Sequence, residues 1–157
     1  EKEPVEVYVS KNQILFALDG IELTSRLIEG KYPEYEKIIP RATRTKFEVA
    51  TDRLSTATKR VSLFARENNN SIKLAVTNDG KLLITTEETR IGEEKAAVEI
   101  KMSGENNKIA LNSQYLIDVL NHLKENVIIE MDEKLTPVIV RPQKREDLLY
   151  IIMPLKI

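Results

Sequence analysis

KFEVATDRLSTATKRVSLFA (residues 46–65) and KIALNSQYLIDVLNHLKENV (residues 108–127) are the two stretches whose comparison decides the fold. Aligned without a gap, they pair Phe47 with Ile109, Val49 with Leu111, Leu54 with Leu116 and Val61 with Leu123. In each stretch an alternating run gives way to apolar residues three and four apart. That change of period, from two to about 3.6, separates a strand from an amphipathic helix. Leu54, Ala57, Val61, Phe64 and Ala65 form the stripe of a helix predicted over 51–68. Leu116, Val119, Leu120 and Leu123 do the same for a second over 113–124. Thr51 and Asn112 are the expected N-caps, since each side-chain oxygen can accept an amide that a first turn leaves unpaired. Asn68, Asn69 and Asn70 tolerate the left-handed backbone that ends a helix.

Working outward, each predicted helix is followed by three alternating runs. These are SIKLAVT, KLLITTEE and AAVEIKMS after the first, and VIIEMD, PVIVRP and LLYIIMPL after the second. Asp79-Gly80 marks a hairpin turn between the first two. The order is βαβββ twice, an α+β fold. VEVYVS, QILFALDG and IELTSRLIEG read as a further three-stranded meander, with no strand and helix before it to cover its apolar face. Residues 1–40 are therefore expected to be the end of a preceding domain with its linker, and 41–157 a complete domain. The segment KYPEYEKIIPRATRT (31–45), with Pro33 and Pro40 and no periodicity, is the natural connection.

Composition narrows the function. Cysteine is absent and His122 is the single histidine, so thiolate chemistry, a disulfide framework, a zinc site and a Ser/His/Asp triad are all disfavoured. Glu130, Asp132 and Glu133 cluster at a hairpin, where acidic residues are ordinary turn formers. Gly20, Gly30, Gly80, Gly92 and Gly104 spell no phosphate-cradling motif. No catalytic residue, metal site or cofactor is expected. No apolar run approaches the roughly 20 residues that span a bilayer, and EKEPVEVYVS lacks the basic and apolar regions of a secretory signal, so a cytoplasmic protein is expected. The 157 residues carry 24 basic and 25 acidic side chains, a formal charge of -1. Binding to nucleic acid would thus need basic residues gathered on one face. The first helix offers such a set in Arg53, Lys59, Arg60 and Arg66, beside Thr56 and Leu63. Their alternative reading is an ordinary solvated face.

Three separated stretches, SRLIEGKYPEYEKIIP (25–40), LNSQYLIDVLNHL (111–123) and YIIMPLKI (150–157), resemble the bacterial sliding clamp, the beta subunit of the replicative DNA polymerase III. The resemblance covers the whole chain. It implies a DNA clamp (processivity) fold, with residues 1–40 the end of the second clamp domain and 41–157 the third. It further implies a non-catalytic homodimer ring that encircles duplex DNA without reading sequence and docks the polymerase catalytic subunit, the clamp loader and repair proteins. Under this resemblance Arg53, Lys59, Arg60 and Arg66 face DNA. Leu63 and Phe64 form the dimer seam with Glu93 and Glu94, from a charged run that includes Glu87, Glu88 and Arg90. A peptide pocket takes Pro33, Lys37 and Ile38 from the linker, Asn112 and Tyr115 from the second helix, and Leu135 and Pro137 from before a strand. Ile151, Ile152, Met153, Pro154 and Leu155 complete it from the last strand. The family's remaining pocket wall, in the earlier part of the second domain, lies outside the sequence. A peptide-binding scaffold that does not encircle DNA is the alternative.

Overall fold

The computed structural model describes residues 3–32, 34–86, 92 and 94–156. They divide into two compact units, Glu1–Glu34 and Tyr35–Ile157. The first is the expected meander of β1 (Glu6–Val9), β2 (Gln13–Leu18) and β3 (Ile21–Arg26), antiparallel in that order. Asp19 and Gly20, at φ 39° and 78°, make its tight β2–β3 turn. Register sets Val7 beside Phe16 and Phe16 beside Leu23, so one face of the sheet is apolar. Val7 and Leu23 on it are exposed.

The second unit opens with a 3-10 turn, Tyr35–Ile38, where the sequence shows no periodicity. It continues with β4 (Thr45–Val49), α1 (Thr51–Ala65), β5 (Ser71–Thr77), β6 (Lys81–Thr85), β7 (Lys95–Glu99) and β8 (Lys101–Gly104). The second repeat supplies β9 (Asn107–Asn112), α2 (Ser113–Asn121), β10 (Val127–Met131), β11 (Val138–Pro142) and β12 (Tyr150–Ile152). The repeats do not form separate sheets. They exchange strands, giving one antiparallel sheet in the order β12-β11-β10-β4-β8 and another in the order β7-β6-β5-β9. The strand before each helix thus pairs with the strand after the other helix, Phe47 with Ile129 and Ile109 with Leu74.

One core results, in which Phe47, Leu54, Leu74, Leu116, Ile129 and Val140 from both sheets and both helices are fully buried. Each such side chain contributes about 1.5–3 kcal/mol relative to an exposed one. Alternation holds on β5, β6 and β7, where every second residue is buried.

Several sequence expectations need correction. AAVEIKMS is not one strand. The chain leaves one sheet after Glu99, Ile100 N–H bonds to the Gly80 carbonyl at 2.9 Å, and β8 joins the other sheet beside β4. LLYIIMPL behaves likewise, for β12 ends at Ile152 and Leu155 N–H then donates to the Ala110 carbonyl of β9 at 2.8 Å. Thr51 does not cap α1. The N-cap position is Ala50, without a side-chain bond, and the buried Thr51 hydroxyl instead donates to the Glu125 carbonyl in the connection after α2. α1 ends at Ala65 in a 3-10 turn, Arg66–Asn68, followed by left-handed Asn69 and Asn70, so the asparagine reading of its end holds. α2 stops at Asn121. Phe64 leaves the predicted core stripe and is half-buried.

Gly104 is the glycine the fold cannot replace. At φ 95°, an added Cβ would stand 2.0 Å from the Arg44 carbonyl oxygen, against backbone that cannot swing aside. Gly104→Ala is expected to lower stability by more than about 1 kcal/mol, the scale of a forbidden backbone conformation. Gly20→Ala, with open space around it, meets the φ penalty alone. Urea unfolding of both variants checks the difference.

Candidate binding surfaces

The carboxyl-terminal segment and the start of α2 come together through strand register. Val138 pairs with Ile152, so Pro137 and Met153 follow each other at the end of the β11–β12 ladder. Two residues on, Leu155 bonds to Ala110, two residues before Asn112. Asn112 caps α2, and Tyr115 lies in that helix's first turn. Met153 is 55% and Tyr115 58% exposed, each directly beside a buried residue, Ile152 and Leu116. Neither is a core residue. Met is deformable and adapts to different apolar ligands, and a tyrosine presents an apolar body with a polar tip.

Other residues expected in the pocket fall into different places. Ile152 is 3% exposed and belongs to the core. Pro137 is also buried, so neither offers its side chain to a ligand. Ile151, Pro154 and Leu155 are half-buried. Lys37 and Ile38 stand exposed on the 3-10 turn. Pro33 lies outside the described residues.

Asn112 is already occupied. Its Oδ1 accepts the Gln114 amide at 2.9 Å and its Nδ2 donates to the Asn69 carbonyl at 3.3 Å, tying α2 to the turn after α1.

Leu135, 59% exposed, lines a cleft of about 540 Å³ with Arg44, Asn107, Lys108, Asp132 and Glu133. Arg44 spans the two carboxylates, with Nε 3.2 Å from Asp132 and Nη2 2.6 Å from Glu133. Glu130 faces Lys46 at 3.6 Å and Arg141 at 3.9 Å. The acidic turn is thus neutralised by its own basic neighbours, and among the described residues no acidic or histidine cluster is gathered to hold a metal ion.

On α1 the four basic residues do not form one free face. Arg53 reaches Glu99 at 3.4 Å and Arg60 reaches Glu94 at 2.9 Å, both acids on or beside the β7 edge. Lys59 donates to Asn121 of α2 at 3.1 Å. Arg66 is exposed beyond the helix end. Leu63, 52% exposed, lies on the same outer side next to Phe64. Glu94 is therefore an ion-pair partner of α1, while Glu93 and most of its charged run (Glu87, Glu88, Arg90) lie outside the described residues. The sequence missed the β7 edge itself, which is the last strand of its sheet. Its sign is the lysine that opens it, a common edge residue.

The fold is that of a DNA clamp. A family model described as the DNA polymerase III beta subunit, C-terminal domain, matches residues 36–156, and the chain belongs to that family. It is 34% identical to the beta sliding clamp of Synechocystis sp. over 98% of the chain and 40% of that protein. The solved sliding clamp of Bacillus subtilis superposes with a TM-score of 0.85 at 27% identity, over 98% of this chain and 41% of that one. A sliding clamp from Bartonella birtlesii bound to griselimycin superposes equally well, at 0.85 and 25% identity, over 98% and 41%. The chain thus spans about two-fifths of the length of the clamps it matches.

If Asn112 holds the helix as its bonds indicate, Asn112→Ala costs about 1 kcal/mol of stability. Asn112→Asp, an equally good cap, costs little. Chemical denaturation distinguishes the two; an unaffected Ala variant would show that the cap bond contributes nothing.

Proposed function

We propose that this chain is the end of the second domain and the whole third domain of a sliding clamp, a non-catalytic cytoplasmic processivity subunit. Two copies of the full subunit close a ring round duplex DNA, and one pocket per subunit docks the polymerase catalytic subunit, the clamp loader and repair proteins. The observation that carries this reading is the exposure of Met153 and Tyr115, on segments linked by the Leu155–Ala110 hydrogen bond. The griselimycin-bound relative supports it, as a clamp of this fold that takes a ligand. The seam reading draws on β7, an edge strand able to pair with another chain, with Leu63 and Phe64 nearby on α1. DNA attraction falls to α1, where a few screened phosphate contacts attract the duplex without fixing its position.

Met153→Ala in the intact subunit is expected to weaken an apolar-anchored clamp-binding peptide by about 1–2 kcal/mol, the scale of one interface side chain. Stability should fall by less than the 2–5 kcal/mol of a buried Met→Ala change, because Met153 is half in water. Calorimetric titration with thermal melts separates the effects. Unchanged affinity with a large loss of stability would make Met153 a core residue and misplace the pocket.

For DNA, Lys59 and Arg66 have no carboxylate partner among the described residues, whereas Arg53 and Arg60 do. Replacing Lys59 and Arg66 with Ala is therefore expected to flatten the salt dependence of DNA association by about one unit of slope per lost contact. Replacing Arg53 and Arg60 should change it less. Equal, unaltered slopes for both pairs would leave α1 as a solvated face.

A further inference from the structure

The chain carries three methionines, Met102, Met131 and Met153, and neither cysteine nor tryptophan. Thioether sulfur is thus the side-chain group in it that a mild peroxide oxidises most readily. Burial sorts the three. Met131, in β10, is 0% exposed, and Met102, in β8, is partly buried against the same core. Met153 is more than half exposed, just beyond the end of β12. Oxidation follows exposure, so a peroxide in solution meets Met153 first.

The same exposure gives the reaction a consequence. A lone pair of the Met153 sulfur attacks one oxygen of hydrogen peroxide, the O–O bond breaks, and the other oxygen leaves as water. The sulfur gives up two electrons to the peroxide and keeps the transferred oxygen as methionine sulfoxide. The product is polar and chiral where the thioether was apolar and deformable. In the free protein this sulfoxide faces water and costs the fold little, since Met153 stands outside the core cluster. Against an apolar ligand it loses that hydration, and burying a polar group without a hydrogen bond is unfavourable. The next residue, Pro154, has no backbone N–H to offer the new oxygen.

We propose that Met153 is a peroxide-sensitive modification site, whose reversible oxidation to the sulfoxide turns off docking of apolar-anchored partner peptides and leaves the fold intact. The inference rests on the pocket reading above and adds a redox control to it.

The test uses the intact subunit and a labelled peptide with leucine and phenylalanine anchors and no methionine. Graded treatment with hydrogen peroxide, stopped with catalase, should convert Met153 to the sulfoxide before Met102 and Met131, as read by peptide mapping in a mass spectrometer. Fluorescence anisotropy should then show affinity about fivefold to a hundredfold weaker, the range for burying an unpaired polar group. The loss should track conversion of Met153, with the thermal midpoint nearly unchanged. Methionine sulfoxide reductases, one for each epimer, should restore the affinity. A Met153→Leu variant, whose starting affinity is measured separately, should lose none of it to the same treatment. Oxidation of Met102 or Met131 ahead of Met153 overturns this inference. Full affinity of the Met153 sulfoxide, where Met153→Ala still weakens the untreated protein, overturns it and spares the pocket; where Met153→Ala has no effect either, both fall. A peptide that fails to bind the untreated protein also overturns both. A loss that persists in Met153→Leu, or that comes with a collapse of the thermal midpoint, assigns the effect to damage elsewhere and overturns the inference as well.

Discussion

Pairing of β4 with β10 and of β5 with β9 is the interaction on which the rest of the structure depends. Each of these strand pairs joins the two repeats, so neither βαβββ unit has a complete sheet of its own. Because both sheets draw strands from both repeats, the apolar faces close on a single core and both helices are held against it. Two of the chain's switches between the sheets, after Glu99 and after Ile152, shape the candidate surfaces. The first crossing leaves β7 as a free edge. The second lays Met153–Leu155 beside β9 and close to α2. The candidate seam and the candidate pocket are both by-products of that one topological constraint.

Much of this was legible in the sequence, because period and repeat are local properties. The constant offset between the two strand-helix stretches gave the βαβββ order, and the cap at Asn112 followed from a side chain acting on its own backbone. What was not legible depends on distant partners. Thr51 looks like a cap in isolation, yet its hydroxyl is claimed by Glu125, on the far side of α2. The break at Ile100 carries no glycine or proline to announce it, being set by a bond to the Gly80 carbonyl in a neighbouring turn. The pocket residues came from resemblance, and burial sorts them: Met153 and Tyr115 are presented, Ile152 and Pro137 are buried.

Electrostatics in this molecule acts by placement more than by net charge. On α1 two arginines are held by carboxylates at the β7 edge, which fixes their side chains and lowers the field they present. Exposed pairs of this kind are each worth about 0.2–1 kcal/mol, too little to hold DNA or a partner tightly. That suits the ring proposed above, which would need weak contacts and a closed path in order to slide.

Closure is therefore the claim to test. The intact protein, loaded on a circular duplex and passed over a gel-filtration column at high salt, should remain with the DNA, and cutting the circle once should release it. Retention that is the same on circular and linear DNA, or equally absent from both, would contradict encirclement and leave a docking scaffold in its place.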